Sequence, residues 1–181
     1  DRLASFDPES EKWEAVCERA QASISEPNPA GKPYSFSQAR MAATVLTNVV
    51  YPVRTRGTWI RHNTPGRWWD SLYTWDSGFV GLGLLELDLG RAVDCLNAYV
   101  TEPDEQDAAF IHHGSPVPVQ HALFLELWNR TQSRKLLAYF YPRLRRYHRF
   151  LAGRLGSSTT RMPSNMIRTW DYFYNSGGWD D

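Results

Sequence analysis

Cysteine is nearly absent from this chain. Cys17 and Cys95 are the only two in 181 residues, they form no CxxC pair, and both fall in stretches that read as helix. That excludes a disulfide framework, and no His–Asn pattern lies near enough to mark either thiol as a nucleophile. Net charge is lacking too: 20 Lys+Arg balance 20 Asp+Glu. No global basic field exists to attract a polyanion, so no nucleic-acid partner is expected. Arg143, Arg145, Arg146 and Arg149 do cluster, but they read as the solvated face of a helix. No apolar run approaches the length of a membrane span, and no charged-then-apolar signal segment opens the chain. It begins at Asp1 rather than Met, which is compatible with a removed leader, and no compartment is assigned. Metal signatures are missing as well. His112 and His113 are adjacent, neighbours in sequence point apart, and no HExxH spacing accompanies them.

Aromatic residues are abundant, with eight Trp, nine Tyr and eight Phe. Most belong to a core, but their placement is uneven. Trp59, Trp68, Trp69 and Trp75 fall in one loop-rich stretch, and Trp170 and Trp179 in another. Around them the apolar spacing predicts helices. Residues 9–24 carry Trp13, Val16, Cys17 and Ala20 on one face, and residues 25–34, with three prolines and Gly31, read as a linker. A second helix over 36–50 ends at Pro52, and residues 51–74 read as irregular. A third, from about Trp75 through Leu87, is apolar nearly all round, which marks a helix buried on most sides. Shorter helices follow over 91–99, 119–131 and 133–141, and Pro142 suits the first turn of another over 143–153. No strand is expected. Apolar helices alternating with amphipathic ones suggest an inner and an outer layer, the pattern of an all-α toroid with its long loops gathered at one end.

Two loops carry residues suited to chemistry. In the first, Trp75–Asp76 stands where the third helix begins; capping backbone N–H groups and contacting a ligand both account for an Asp there. The second is the terminal Asn175–Ser176–Gly177–Gly178–Trp179–Asp180–Asp181. A glycine pair lets the backbone turn tightly, and an aromatic ring then stands beside two carboxylates. A ring that stacks on a pyranose face and an acid that handles a proton are what sugar chemistry requires. Gln120, in the first turn of the fifth helix, either donates to a ligand hydroxyl or lies on the surface.

The segments Tyr73–Phe79 (YTWDSGF) and Asn175–Asp181 (NSGGWDD) resemble those of family 63 glycoside hydrolases, the processing α-glucosidase type in the same clan as the trehalases. Pro65, Gly66, Tyr73, Trp75 and Asp76 also match the trehalase signature PGGRFxExYxWD, from which Arg67, Trp68, Trp69 and Ser71 depart. Together with LWNRT and YPRLRRYHRFL, the similarity extends from about Phe36 to the end. It implies an (α/α)6 barrel of which residues 1–181 form the N-terminal part, with 1–35 as a leading helix and linker. It also implies inverting hydrolysis of an α-glycosidic bond, with an oligosaccharide or small glycoside as substrate. Asp180 takes the role of general acid, with Asp181 beside it as the alternative because an extra Gly precedes Trp179. Trp75, Asp76 and Trp179 line the sugar subsite, and Trp69 and Gln120 are further candidate contacts. No cofactor is implied and no metal ligand set is present, although calcium occurs by family analogy.

Inversion needs a protonated acid above the leaving oxygen and a second carboxylate about 6.5–9.5 Å away to activate water. No residue here matches the family's base, a downstream Glu. The expectation is therefore a chain that carries the acid and needs a C-terminal remainder for turnover. A non-catalytic helical carbohydrate-binding or scaffold module is the alternative.

Overall fold

The computed structural model describes residues 13–22, 28–55, 58–66, 68, 73–100, 117–155 and 160–168. Among these the fold is mainly helical, with six α-helices: α1 (Trp13–Ala22), α2 (Ser35–Thr47), α3 (Thr74–Leu84), α4 (Leu89–Asn97), α5 (Val119–Thr131) and α6 (Arg134–Leu151). Two antiparallel ladders accompany them, β1 (Val49–Thr55) with β2 (Thr58–Asn63), and the two-residue strands β3 (Thr160–Arg161) and β4 (Ile167–Arg168).

The first ladder corrects the expectation of an irregular stretch without strands. Val49, Val50, Val53, Thr55, Thr58 and Ile60 are β-branched, a type that favours a pleated strand over a helix. Pro52 does not merely end a helix. It occupies the register irregularity between Val50 and Val53, a place where a strand tolerates a missing N–H. Helix α2 accordingly stops at Thr47, three residues short of the expected end. The described part of the expected linker is also ordered. Pro29–Tyr34 forms a 3-10 turn whose Ala30 amide is capped by the Asn28 side chain, and it runs directly into α2.

Two αα-hairpins dominate the architecture. Helices α3 and α4 are joined by a short turn, and Asp88 caps α4 by accepting from the Arg91 amide. Helices α5 and α6 are joined through Gln132 and Ser133, the latter capping α6 at Leu136. Within each hairpin the contacts run antiparallel, as when Gln120 meets Tyr147 and Phe124 meets Phe140. The hairpins pack so that α3 and α5 lie side by side and parallel. Gln120 at the start of α5 touches the start of α3, and Arg130 near its end donates to the Leu85 carbonyl just past α3. Glycines allow the close approach: a Cβ on Gly78 would stand 2.6 Å from Val119 Cβ, and one on Gly81 2.3 Å from Leu123 Cδ2.

Helix α3 is less enclosed than its composition suggests. Thr74, Ser77, Gly78, Gly81 and Leu84 are buried, but Phe79 is 57% exposed and a Cβ on Gly83 would meet open space. Helix α6 corrects the division at Pro142, for it is continuous from Arg134 to Leu151 with the proline inside it. An interior proline costs a helix about 3 kcal/mol. Phe140, Leu144, Tyr147 and Phe150 keep one buried face across it, and burying such side chains contributes roughly 1.5–3 kcal/mol each. Arg143 departs from the solvated face expected of it. Its side chain is buried, donates to the Tyr139 carbonyl and lies 3.6 Å above the Tyr139 ring.

The two cysteines are both free. Cys95 is buried against Asn63, whose amide donates to its Sγ at 3.6 Å. Burial pushes its thiol up to about 12. A thiol reagent at pH 8 is therefore expected to leave Cys95 unmodified in the folded chain and to react with Cys17 first. Rapid labelling of both thiols without denaturant would contradict the burial of Cys95. No described helix is long and apolar enough to cross a membrane.

Candidate functional site

The first turn of α3 holds two of the residues singled out in the sequence. Tyr73 precedes the helix in an extended conformation, so Thr74, Trp75 and Asp76 are its first three residues. Asp76 is thus not the cap. It sits at the third position, where the helix dipole still favours a negative charge by about 0.3–1 kcal/mol. Trp75 is half-buried and meets Phe79, one turn on, edge to face at 6.2 Å.

Two side chains from other elements hold this turn in place. The Tyr99 hydroxyl, just beyond α4, donates to the Tyr73 carbonyl at 2.6 Å. The Gln120 amide donates to the Thr74 carbonyl at 2.5 Å. The Gln120 carbonyl oxygen in turn accepts from the Tyr147 hydroxyl at 3.1 Å. Gln120 is fully buried, so it is neither a surface residue nor a donor facing a ligand. Both ends of its amide serve the protein, because a buried amide left unbonded is costly. It stands directly behind Trp75 and Asp76 and fixes their backbone.

Beyond this chain lies His121. Its ring stacks on Tyr147 at 5.6 Å and meets His148 edge-on at 5.9 Å. Both ring nitrogens are buried and neither closes a hydrogen bond. Burial first, and the charge of His148 second, hold the ring below its ordinary value of 6.5. The nearby carbonyls of Pro118 and Leu144 oppose this more weakly.

The remaining sequence candidates, Trp69, Trp179, Asp180 and Asp181, lie outside the described residues, as does the His112–His113 pair. Trp68, in the same loop as Trp69, is 86% exposed. Trp75 and Asp76 are consecutive residues in the first turn of α3, and Gln120 stands behind that turn. Among the described residues no three His, Cys, Asp or Glu side chains gather as a metal site.

Tyr99 and Tyr147 were not singled out in the sequence. Tyr147 had a signal, since it shares the inward spacing of Phe140, Leu144 and Phe150 and a buried tyrosine hydroxyl demands a partner. Tyr99, at the end of a short helix, had none. The described turn offers an aromatic ring and a carboxylate from consecutive helix positions, on a backbone held by Tyr99 and Gln120. No protein-family model, curated protein or solved structure matches the chain.

Proposed function

We propose that this chain carries the sugar-binding side of an inverting α-glycosidase of the (α/α)6 type, with α-glucosides as substrate class. The observation that carries the reading is the Trp75–Asp76 turn, whose two preceding carbonyls, of Tyr73 and Thr74, are held by Tyr99 and Gln120. A site must fix its contacts more tightly than a free loop does, and buried supporting hydrogen bonds achieve this. The parallel packing of α3 on α5, each the first helix of an αα-hairpin, supports a barrel whose inner helices run the same way. The open face of α3 at Phe79 and Gly83 suits an inner helix with further neighbours. Asp180 is the proposed general acid. Trp75, Asp76, Trp179 and Asp181 are the proposed contacts, with Trp69 as a further wall.

Binding is tested on the 181-residue chain. Methyl α-D-glucopyranoside and maltose are expected to change its tryptophan fluorescence saturably, while methyl β-D-galactopyranoside has a smaller effect. Trp75→Ala is expected to weaken binding about tenfold, because an aromatic stack contributes about 0.5–1.5 kcal/mol beyond its area. Identical responses from Trp75→Ala and the unsubstituted chain would remove Trp75 from the site. Saturable binding without turnover, in the longest natural chain carrying this sequence, would leave a carbohydrate-binding module instead.

A further inference from the structure

Both nitrogens of the His121 ring lie buried without a closed hydrogen bond. A neutral imidazole asks for one acceptor, whereas an imidazolium carries two N–H donors and a charge that the Pro118 and Leu144 carbonyls answer only weakly. Its surroundings add to the difficulty. From α6 it faces Tyr147 and His148, and the charge of His148 repels a proton on it. Elsewhere on α6 stand Arg143, Arg145, Arg146 and Arg149; α5 itself carries Glu126 and Arg130, and α3 carries Asp76. Among the described residues only His148 acts on the ring through its charge.

The ring is also next to a relay. It stacks on Tyr147 and adjoins Gln120 in the chain, and Tyr147, Gln120 and the Thr74 carbonyl are bonded in sequence. A charged His121 gains by leaving its stack toward water. That movement removes one packing contact from the buried Tyr147 ring, whose hydroxyl donates to the Gln120 carbonyl oxygen.

We propose that protonation of His121 is transmitted through Tyr147 and Gln120 to the first turn of α3, loosening the Trp75–Asp76 turn in acid. Its consequence for sugar binding rests on the reading of that turn as a sugar contact; the coupling itself does not. The direction follows from linkage. A histidine held below its ordinary value binds its proton more readily in the unlocked state. The stabilisation it leaves intact is therefore full above about pH 6.5 and is lost as pH falls through 6.5 toward the folded value.

Nuclear magnetic resonance without sugar tests the coupling. The Trp75 indole N–H, assigned with Trp75→Phe, and the His121 ring protons are followed from pH 7.5 to 5. The Trp75 signal is expected to move with the same midpoint as His121, below 6.5. In His121→Phe it is expected to stay flat. In Tyr147→Phe, His121 still titrates while Trp75 no longer follows. A Trp75 signal that stays flat while His121 titrates, or that moves unchanged in either variant, overturns the proposal. Should a variant fail to fold, amide exchange at residues 74–77 of the unsubstituted chain decides. Protection, corrected for intrinsic rates, falls with the His121 titration if the relay operates and stays level if it does not. A parallel titration with methyl α-D-glucopyranoside keeps the two readings apart. Coupling without a sugar response refutes the sugar site alone.

Discussion

Replacing Asp180 by Asn is expected to lower α-glucoside hydrolysis by about 10²–10⁴-fold, the usual contribution of a positioned general acid. The amide keeps the size of the side chain and removes the proton that the leaving oxygen needs. The loss should appear in kcat with KM little changed, because the proton is transferred only on the way to the transition state. Substrates with an acidic leaving group, such as aryl α-glucosides, need less protonation and should suffer less. The assay belongs in the longest natural chain that carries this sequence, with the anomer of the released sugar read by polarimetry or proton resonance. A rate within a few-fold of the original would exclude Asp180. If Asp181→Asn instead showed the loss, the extra Gly before Trp179 would have displaced the acid by one position.

Gly78→Ala is expected to destabilise the fold by roughly 1–3 kcal/mol through overpacking, even though alanine favours a helix over glycine by about 0.8–1 kcal/mol. The added methyl would meet Val119 at its Cβ and, at 3.2 Å, at its backbone carbon. Neither atom swings aside as the end of a long side chain does. For a domain of this size, each kcal/mol shifts Tm by about 2–4 °C. Gly83→Ala is the control on the same helix, with nothing within 4 Å of the new atom. It should raise Tm by up to about 4 °C through helix propensity alone. If thermal denaturation showed both variants equally stabilised, the close approach of α3 to α5 would be refuted. Because Gln120 follows Val119 directly, Gly78→Ala should also weaken the fluorescence response to sugar, and Gly83→Ala should not.

Local signals in the sequence carried the helices well. The bounds of α5, Val119 to Thr131, agree with the spacing of its apolar residues and with the Pro118 and Gln132 that flank it. Where rules about single residues stood against longer-range packing, packing prevailed. Pro142 looked like a helix start, yet one buried face continues through it from Phe140 to Phe150. Pro52 looked like a helix stop, yet it lies in a ladder whose partner strand is supplied by residues 58–63. The candidate site divided in the same way. Trp75 and Asp76 were legible because a tryptophan and an acid at a helix start form a local pattern. Their support was not, because Gln120 meets Thr74 across 46 positions and Tyr147 meets Gln120 across 27. No periodicity in one sequence pairs residues so far apart. Gln120 was noticed for its polarity, and its role came only with its neighbours.

The buried guanidinium of Arg91, in α4, donates to the Leu46 carbonyl at 2.8 Å and to Asn63 Oδ1 at 2.9 Å. Tyr99, eight positions later, holds Tyr73. Helix α4 and the turn that follows it therefore grip the chain on both sides of residues 64–72. The span is set by these two grips and not by what bridges them. Closing a longer bridge between fixed posts costs only about 0.6 kcal/mol for each doubling of its length. Between the two grips lies the aromatic stretch that contains Trp68 and Trp69. Substitution or insertion there alters what surrounds Trp75 and Asp76 without refolding what holds them.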